Sequence, residues 1–201
     1  MMTIYLVPVG RTEFSPNGEL LGLNNPSLNS HGISHAERAA EHFRPIVLEA
    51  VFSGPLRRQT ETAKRIADLH SMPVRTDKDL IDVNFGSWCG MTWSNIEKSE
   101  ARLFAKFRDS PSKFKFPVGE KMKRGGKRVQ SFVSRVMANY GTGNLAIVAD
   151  DLVIHMLASQ MARIEFIRIE PWKPSEGAFT TLECDGGRCA IKSLRGSPWQ
   201  S

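Results

Sequence analysis

Short apolar runs alternate with segments of helical period along nearly the whole chain, and this alternation limits the folds open to it more than any other feature. Thr3–Val9, Ala50–Ser53 and Leu145–Ala149 are compact runs of strand type, and Val74–Thr76 is a shorter one suited to a sheet edge. Helical patterns lie between them. One runs from Ser30, placed to cap it, to about Phe43; another opens at Pro55, suited to a first helical turn, and continues to about His70. Further patterns cover Thr92 to about Phe107, about Gly119 to Tyr140, and about Leu152 to Met161. In the segment ending at Tyr140, Val129, Phe132, Val133, Val136 and Met137 form an apolar stripe, while Gly125-Gly126 is expected to loosen its first half. Thr180–Cys184 and Cys189–Ser193 flank an Asp-Gly-Gly-Arg turn and read as a hairpin.

Strands alternating with helices predict an α/β fold, a three-layer sandwich around a mostly parallel central sheet. Ligands of such sheets sit beyond the carboxyl ends of the strands, near the switch in strand order. That rule singles out Val9-Gly10 and Ala149-Asp150. No internal repeat or linker divides the chain, so residues 1–201 are expected to form one domain, with an insertion at about 88–117 lying over the sheet. Phe85, Trp88 and Trp93 are expected to pack that insertion down.

No apolar stretch approaches the roughly 20 residues of a membrane span. The strand-like start lacks the pattern of a signal peptide, and a cytoplasmic location is expected. Three cysteines are too few for a disulfide framework, and none has zinc-site spacing. Cys184 and Cys189 could face one another across the hairpin; in a reducing cytosol two thiols are expected. The net charge is +6, and Lys121, Lys123, Arg124, Lys127 and Arg128 crowd one stretch, with Lys106, Arg108, Lys113 and Lys115 upstream. No nucleic-acid motif accompanies them. A solvated helix face is the plainer reading, and a partner surface the sharper one.

Five blocks in order then carry a specific resemblance. They are Leu6-Val-Pro-Val-Gly-Arg-Thr12, Ser53-Gly-Pro-Leu-Arg-Arg-Gln-Thr-Glu-Thr-Ala63, Leu80-Ile-Asp-Val-Asn-Phe-Gly-Ser-Trp-Cys-Gly90, Phe116-Pro-Val-Gly-Glu120 and Leu145-Ala-Ile-Val-Ala-Asp-Asp-Leu-Val-Ile154. Together they resemble the histidine phosphatase superfamily (phosphoglycerate mutase-like), and most of all its small α-ribazole phosphatase-type branch. The family's first block reads Leu-Val-Arg-His-Gly-x-Thr, and its histidine becomes phosphorylated. The resemblance puts Pro8 at the arginine and Val9 at the nucleophile. It puts Arg58 at the arginine that clamps the phosphate, Asp82 at the glutamate that donates a proton, and Asp150 at the second histidine. Ser15 falls where an asparagine usually helps hold the phosphate, and Arg11 at a variable position.

The resemblance therefore implies a degenerate pocket lined by Gly10, Arg11, Thr12, Arg58, Asp82, Asp150 and Asp151, with no intact catalytic residue. Valine cannot attack phosphorus, and two aspartates facing one arginine would repel a phosphate dianion. The expected function is that of a pseudophosphatase: a binding, scaffolding or regulatory module with no cofactor and no metal. Its expected partner is a protein, acidic in charge, met through Lys121, Lys123, Arg124, Lys127 and Arg128. Membrane and nucleic acid are disfavoured as partners, and a homodimer is left open. Two other readings stand beside it. Asp82 and Asp150, with or without an oxygen-bound Mg²⁺ or Ca²⁺ that Asp151 could share, could carry rewired acid–base chemistry. Alternatively His31, His35 or His155 could support a residual phosphomonoester phosphatase. Pairing of both aspartates with Arg58 is the bland outcome for the pocket.

Overall fold

The computed structural model describes residues 1–14, 17–166, 179–194 and 197–198. Its centre is a mixed sheet of strands β1 (Met2–Pro8), β2 (Leu48–Ser53), β3 (Val74–Thr76), β4 (Gly143–Ala149), β5 (Thr180–Asp185), β6 (Arg188–Leu194) and the two-residue β7 (Ser197–Pro198). The strand order is β3-β2-β4-β1-β5-β6-β7. The four strands from β3 to β1 are parallel, and the hairpin β5–β6 extends them antiparallel from β1. Thr180–Cys184 and Cys189–Ser193 thus form the expected hairpin, and Val74–Thr76 is the expected edge strand.

Period-two alternation divides the core. Met2, Ile4 and Leu6 of β1, with Ala50 and Phe52 of β2 and Leu145 and Ile147 of β4, point to one face. There they meet α5 (Met122–Asn139) and α6 (Asp151–Ala162). Val7, Val51, Ala146 and Val148 point to the other face, against α1 (Ser30–Phe43) and α2 (Arg57–Leu69). This is the three-layer sandwich that the alternation predicts.

Several local expectations need correction. The cap of α1 is Asn29, whose side chain accepts the Gly32 N–H at 2.8 Å, so Ser30 is the first helical residue. Pro55 lies ahead of α2, which starts at Arg57; Gln59 Oε1 reaches back to accept the Leu56 N–H at 2.9 Å. The segment from Thr92 to Phe107 is two helices, α3 (Trp93–Ser99) and α4 (Ala101–Asp109), broken at Glu100. The cause is long-range. A straight helix would put Trp93 and Phe107 about 21 Å apart, at about 1.5 Å per residue. Their rings stack at 5.4 Å, so the chain has to double back. Gly125-Gly126 does not loosen α5, which runs unbroken. Gly125 is buried against α6, where a Cβ would meet Met156 Cε at 3.1 Å, and the Gly126 carbonyl accepts from Gln160 Nε2 at 2.7 Å.

Cys184 and Cys189 are a disulfide and not two thiols. The hairpin register sets them directly opposite one another, with Cα atoms 4.0 Å apart. In the segment 88–117, Trp88, Phe107, Phe114 and Phe116 are buried in one aromatic cluster that is continuous with the main core. No helix of the described residues is long and apolar enough to cross a membrane.

Candidate functional site

Parallel register brings the two predicted positions together. Pro8 pairs with Ala149, so Val9 and Asp150 follow the carboxyl ends of neighbouring strands. Val9 is half-buried and packs toward the α1–α2 face. After it the backbone is fixed. Gly10 N–H donates to Thr62 Oγ1 at 3.0 Å, and that hydroxyl donates to the Arg58 carbonyl at 2.7 Å. The Arg11 carbonyl accepts the Asn29 N–H at 3.0 Å, and Thr12, fully buried, bridges to Leu28. Ser15 lies outside the described residues.

Arg58 is the centre of the site. It projects from the first turn of α2 and is completely buried. Its Nε donates to Asp150 Oδ1 at 2.6 Å, and Nη2 donates to Asp82 Oδ2 at 3.1 Å. The remaining contacts are to backbone: Nη1 to the Asn24 carbonyl at 2.6 Å and Nη2 to the Gly22 carbonyl at 2.8 Å. Gly22 has φ +53°, and a Cβ there would come within 2.9 Å of the Val83 carbonyl, so only glycine presents its carbonyl this way without strain.

The carboxylates are equally occupied. Asp150 caps α6 with extended backbone, yet its side chain turns away from the helix; its second oxygen accepts from Gln59 Nε2 at 2.8 Å. Asp82 Oδ1 accepts the Val83 N–H at 2.7 Å. All four carboxylate oxygens therefore have donors within the protein. Burial, and next the charge of Asp150, push Asp82 well above the usual carboxylate range, against the opposing pull of Arg58. Opposing effects act on Arg58 too: burial lowers its pKa, while Asp150 and Asp82 outweigh burial and raise it.

Of the predicted pocket residues, Arg58, Asp82 and Asp150 meet in one ion-paired cluster; Gly10 is tied to α2 through Thr62, and Thr12 is buried against Leu28. The metal alternative is not met: no group of three or more His, Cys, Asp or Glu among the described residues could hold an ion. Nor is an imidazole among the hydrogen-bond partners of Arg58. His31 is exposed on α1, His35 half-buried, and His155 buried in α6, its ring 6.3 Å from Phe166.

Two contributors were not foreseen. Gln59 holds Asp150 and the Leu80 carbonyl (3.0 Å) at once; a polar residue that is fully buried beside Arg58 is the signal that marks it. Cys89 lies at the rim, where its Sγ accepts from Asn24 Nδ2 at 3.2 Å and donates to the Leu21 carbonyl at 3.1 Å. Burial, followed by the charge of Asp82, pushes its thiol pKa up, which keeps it protonated and a poor nucleophile. The predicted partner surface also loses a member. Lys121, Lys123, Arg124 and Lys127 are exposed, but Arg128 turns inward. It donates to the Asp79 carbonyl at 2.7 Å and the Asp82 carbonyl at 3.3 Å, and pairs with Glu120 at 3.4 Å.

Residues 4–196 match the histidine phosphatase superfamily (branch 1). The chain is 22% identical to phosphoserine phosphatase 1 of Hydrogenobacter thermophilus over 96% of its own length and 92% of the relative's. It is also 22% identical to the adenosylcobalamin/α-ribazole phosphatase of Salmonella typhimurium, over 96% of each chain. The fold superposes on the crystal structure of the α-ribazole phosphatase from Shigella flexneri with a TM-score of 0.81, covering 100% of both chains at 18% identity.

Proposed function

This chain belongs to the histidine phosphatase superfamily, and from that premise we propose that it is a catalytically silent member that acts as a binding or scaffolding module. The observation that carries the reading is the engagement of Arg58. Its guanidinium is held by two carboxylates and two backbone carbonyls in a fully buried position. A phosphate dianion would have to displace Asp82 or Asp150 to reach it and would then lie against the Asp150 carboxylate. At about 4 Å and an effective dielectric near 20, each such unit-charge pair is worth about 4 kcal/mol. Phosphoryl transfer to the protein also needs a nucleophile in line with phosphorus. The strand end offers Val9, and the thiol at the rim, Cys89, is held protonated.

A second reading, a residual phosphomonoester phosphatase, is favoured by the relatives, among them a phosphoserine phosphatase and an adenosylcobalamin/α-ribazole phosphatase. The same experiment separates the two. Vanadate and phosphate binding are measured by calorimetry, and turnover of phosphoserine and α-ribazole phosphate by phosphate release. Both are repeated on the Pro8→Arg, Val9→His, Asp150→His triple variant. The silent reading expects no oxyanion binding and no turnover from the natural chain, and a gain of vanadate binding in the variant. Turnover by the natural chain that survives repurification would overturn it.

A further inference from the structure

Residues 114–121 form a rigid post beside the pocket. An isolated antiparallel bridge joins Lys115 to Lys121, and two hydrogen bonds reinforce it: Phe116 N–H to the Glu120 carbonyl at 3.0 Å and Met122 N–H to the Phe114 carbonyl at 2.9 Å. Phe114 and Phe116 are buried in the aromatic cluster, which points Lys115 outward between them. The tip is pinned from below: Ser87 N–H donates to the Pro117 carbonyl at 3.0 Å, and Glu120 N–H to the Asn84 carbonyl at 2.8 Å. Gly86 sits so close that a Cβ on it would collide with the Pro117 carbonyl.

At that tip stands Val118, 91% exposed with φ +53°. A β-branched residue in the left-handed region is a genuine outlier, and an apolar side chain gains nothing from water there. Flanking it in sequence are the exposed cations Lys113, Lys115, Lys121, Lys123, Arg124 and Lys127, none with a carboxylate partner among the described residues. Three of these open α5, which has no acidic residue in its first turn and no side-chain cap. Cations at that end oppose the helix dipole and favour an incoming anion.

We propose that this post is a docking site for an acidic polypeptide segment, with Val118 as its apolar anchor and the six cations as its steering rim. The proposal deepens the binding-module reading above and rests on it. Charge complementarity selects an anionic partner. The choice of polypeptide over nucleic acid comes from the anchor. Surfaces for single-stranded nucleic acid combine cations with exposed aromatic platforms. Here Trp88, Phe107, Phe114 and Phe116 are all buried, and the side chain offered among the cations is aliphatic.

The test is fluorescence anisotropy of the full chain with three labelled probes: a glutamate-rich peptide with a central Leu-Phe, the same peptide with a central Ser-Ser, and a single-stranded oligonucleotide of equal charge. Tighter binding of the Leu-Phe peptide than of the other two, by at least about tenfold, is expected, along with a similar loss between about 50 and about 500 mM salt. Val118→Gly relieves the backbone strain, so its melting temperature should rise while the preference for Leu-Phe disappears. A merely structural role for Val118 could not produce both changes. Lys115→Glu/Lys121→Glu/Arg124→Glu should abolish binding of both peptides with the melting temperature held within about 2 °C. Vanadate binding read in the same samples reports on the pocket alone, so the two readings can fail separately. The proposal is overturned if the Leu-Phe peptide does not bind at low salt, if Val118→Gly leaves the preference intact, or if the oligonucleotide binds most tightly.

Discussion

Arg58 and Asp150 are joined at 2.6 Å although 92 residues separate them in sequence, one at the start of α2 and the other at the cap of α6. The pair thus ties together the two faces of the sheet at the carboxyl ends of its strands. Breaking it from the cationic side leaves two buried carboxylates without a counter-charge. Arg58→Met is expected to cost about 3–5 kcal/mol in urea unfolding. Adding Asp150→Asn should recover part of that loss, because only one buried charge then remains. A loss below about 1 kcal/mol for the single variant would show that the cluster is not a structural tie.

Asp82 gives the cluster a pH dependence whose sign is fixed. Its folded pKa is raised above the unfolded value, by burial first and by Asp150 second, so the folded state holds the proton more tightly. Its contribution to stability is therefore fully present below about pH 4 and declines as pH rises through the raised folded value. Asp82→Asn removes that dependence. As pH rises from about 4, the stability of the natural chain should fall relative to the variant. A difference that stays constant with pH would show that Asp82 titrates alike in both states.

How far the fold is legible in the sequence depends on the range of the interactions involved. The alternation of β1 and the apolar stripe of α5 are local patterns, and both elements lie where period two and period 3.6 put them. The break at Glu100 has no local signal, since glutamate is a good helix former; it follows from the stacking of Trp93 on Phe107. Arg58, Asp82 and Asp150 could be assigned to one pocket from the ordered blocks. That Asp150 would bind Arg58 and Gln59, instead of capping α6 with its side chain, depends on the register of β1 with β4 and on the angle of α2, neither of which is written locally.

Cys184 and Cys189 close a loop with a sequence separation of 5 at the tip of the β5–β6 hairpin. Chain-entropy reasoning for so short a loop gives about 2 kcal/mol, lost on reduction. Alkylation of the denatured, unreduced chain should label Cys89 alone, and all three cysteines after reduction. Labelling of three cysteines before reduction, in protein purified without reductant, would show that the hairpin carries thiols.

The two adjacent glycines of α5 should respond differently to alanine. Each costs about 1 kcal/mol relative to alanine in a helix interior. A Cβ at Gly126 meets nothing nearer than Gln160 Nε2 at 3.6 Å, which is ordinary contact, so Gly126→Ala should gain roughly 0.5–1 kcal/mol. A Cβ at Gly125 comes within 3.1 Å of Met156 Cε and 3.4 Å of its Sδ, on the packed side of the helix. Met156 is flexible but 2% exposed, so it has little space into which to move. Gly125→Ala should therefore gain less than Gly126→Ala or lose stability. Urea midpoints of the two variants, measured side by side, check this order; a larger gain at Gly125 would mean that the α5–α6 contact yields more readily than its packing indicates.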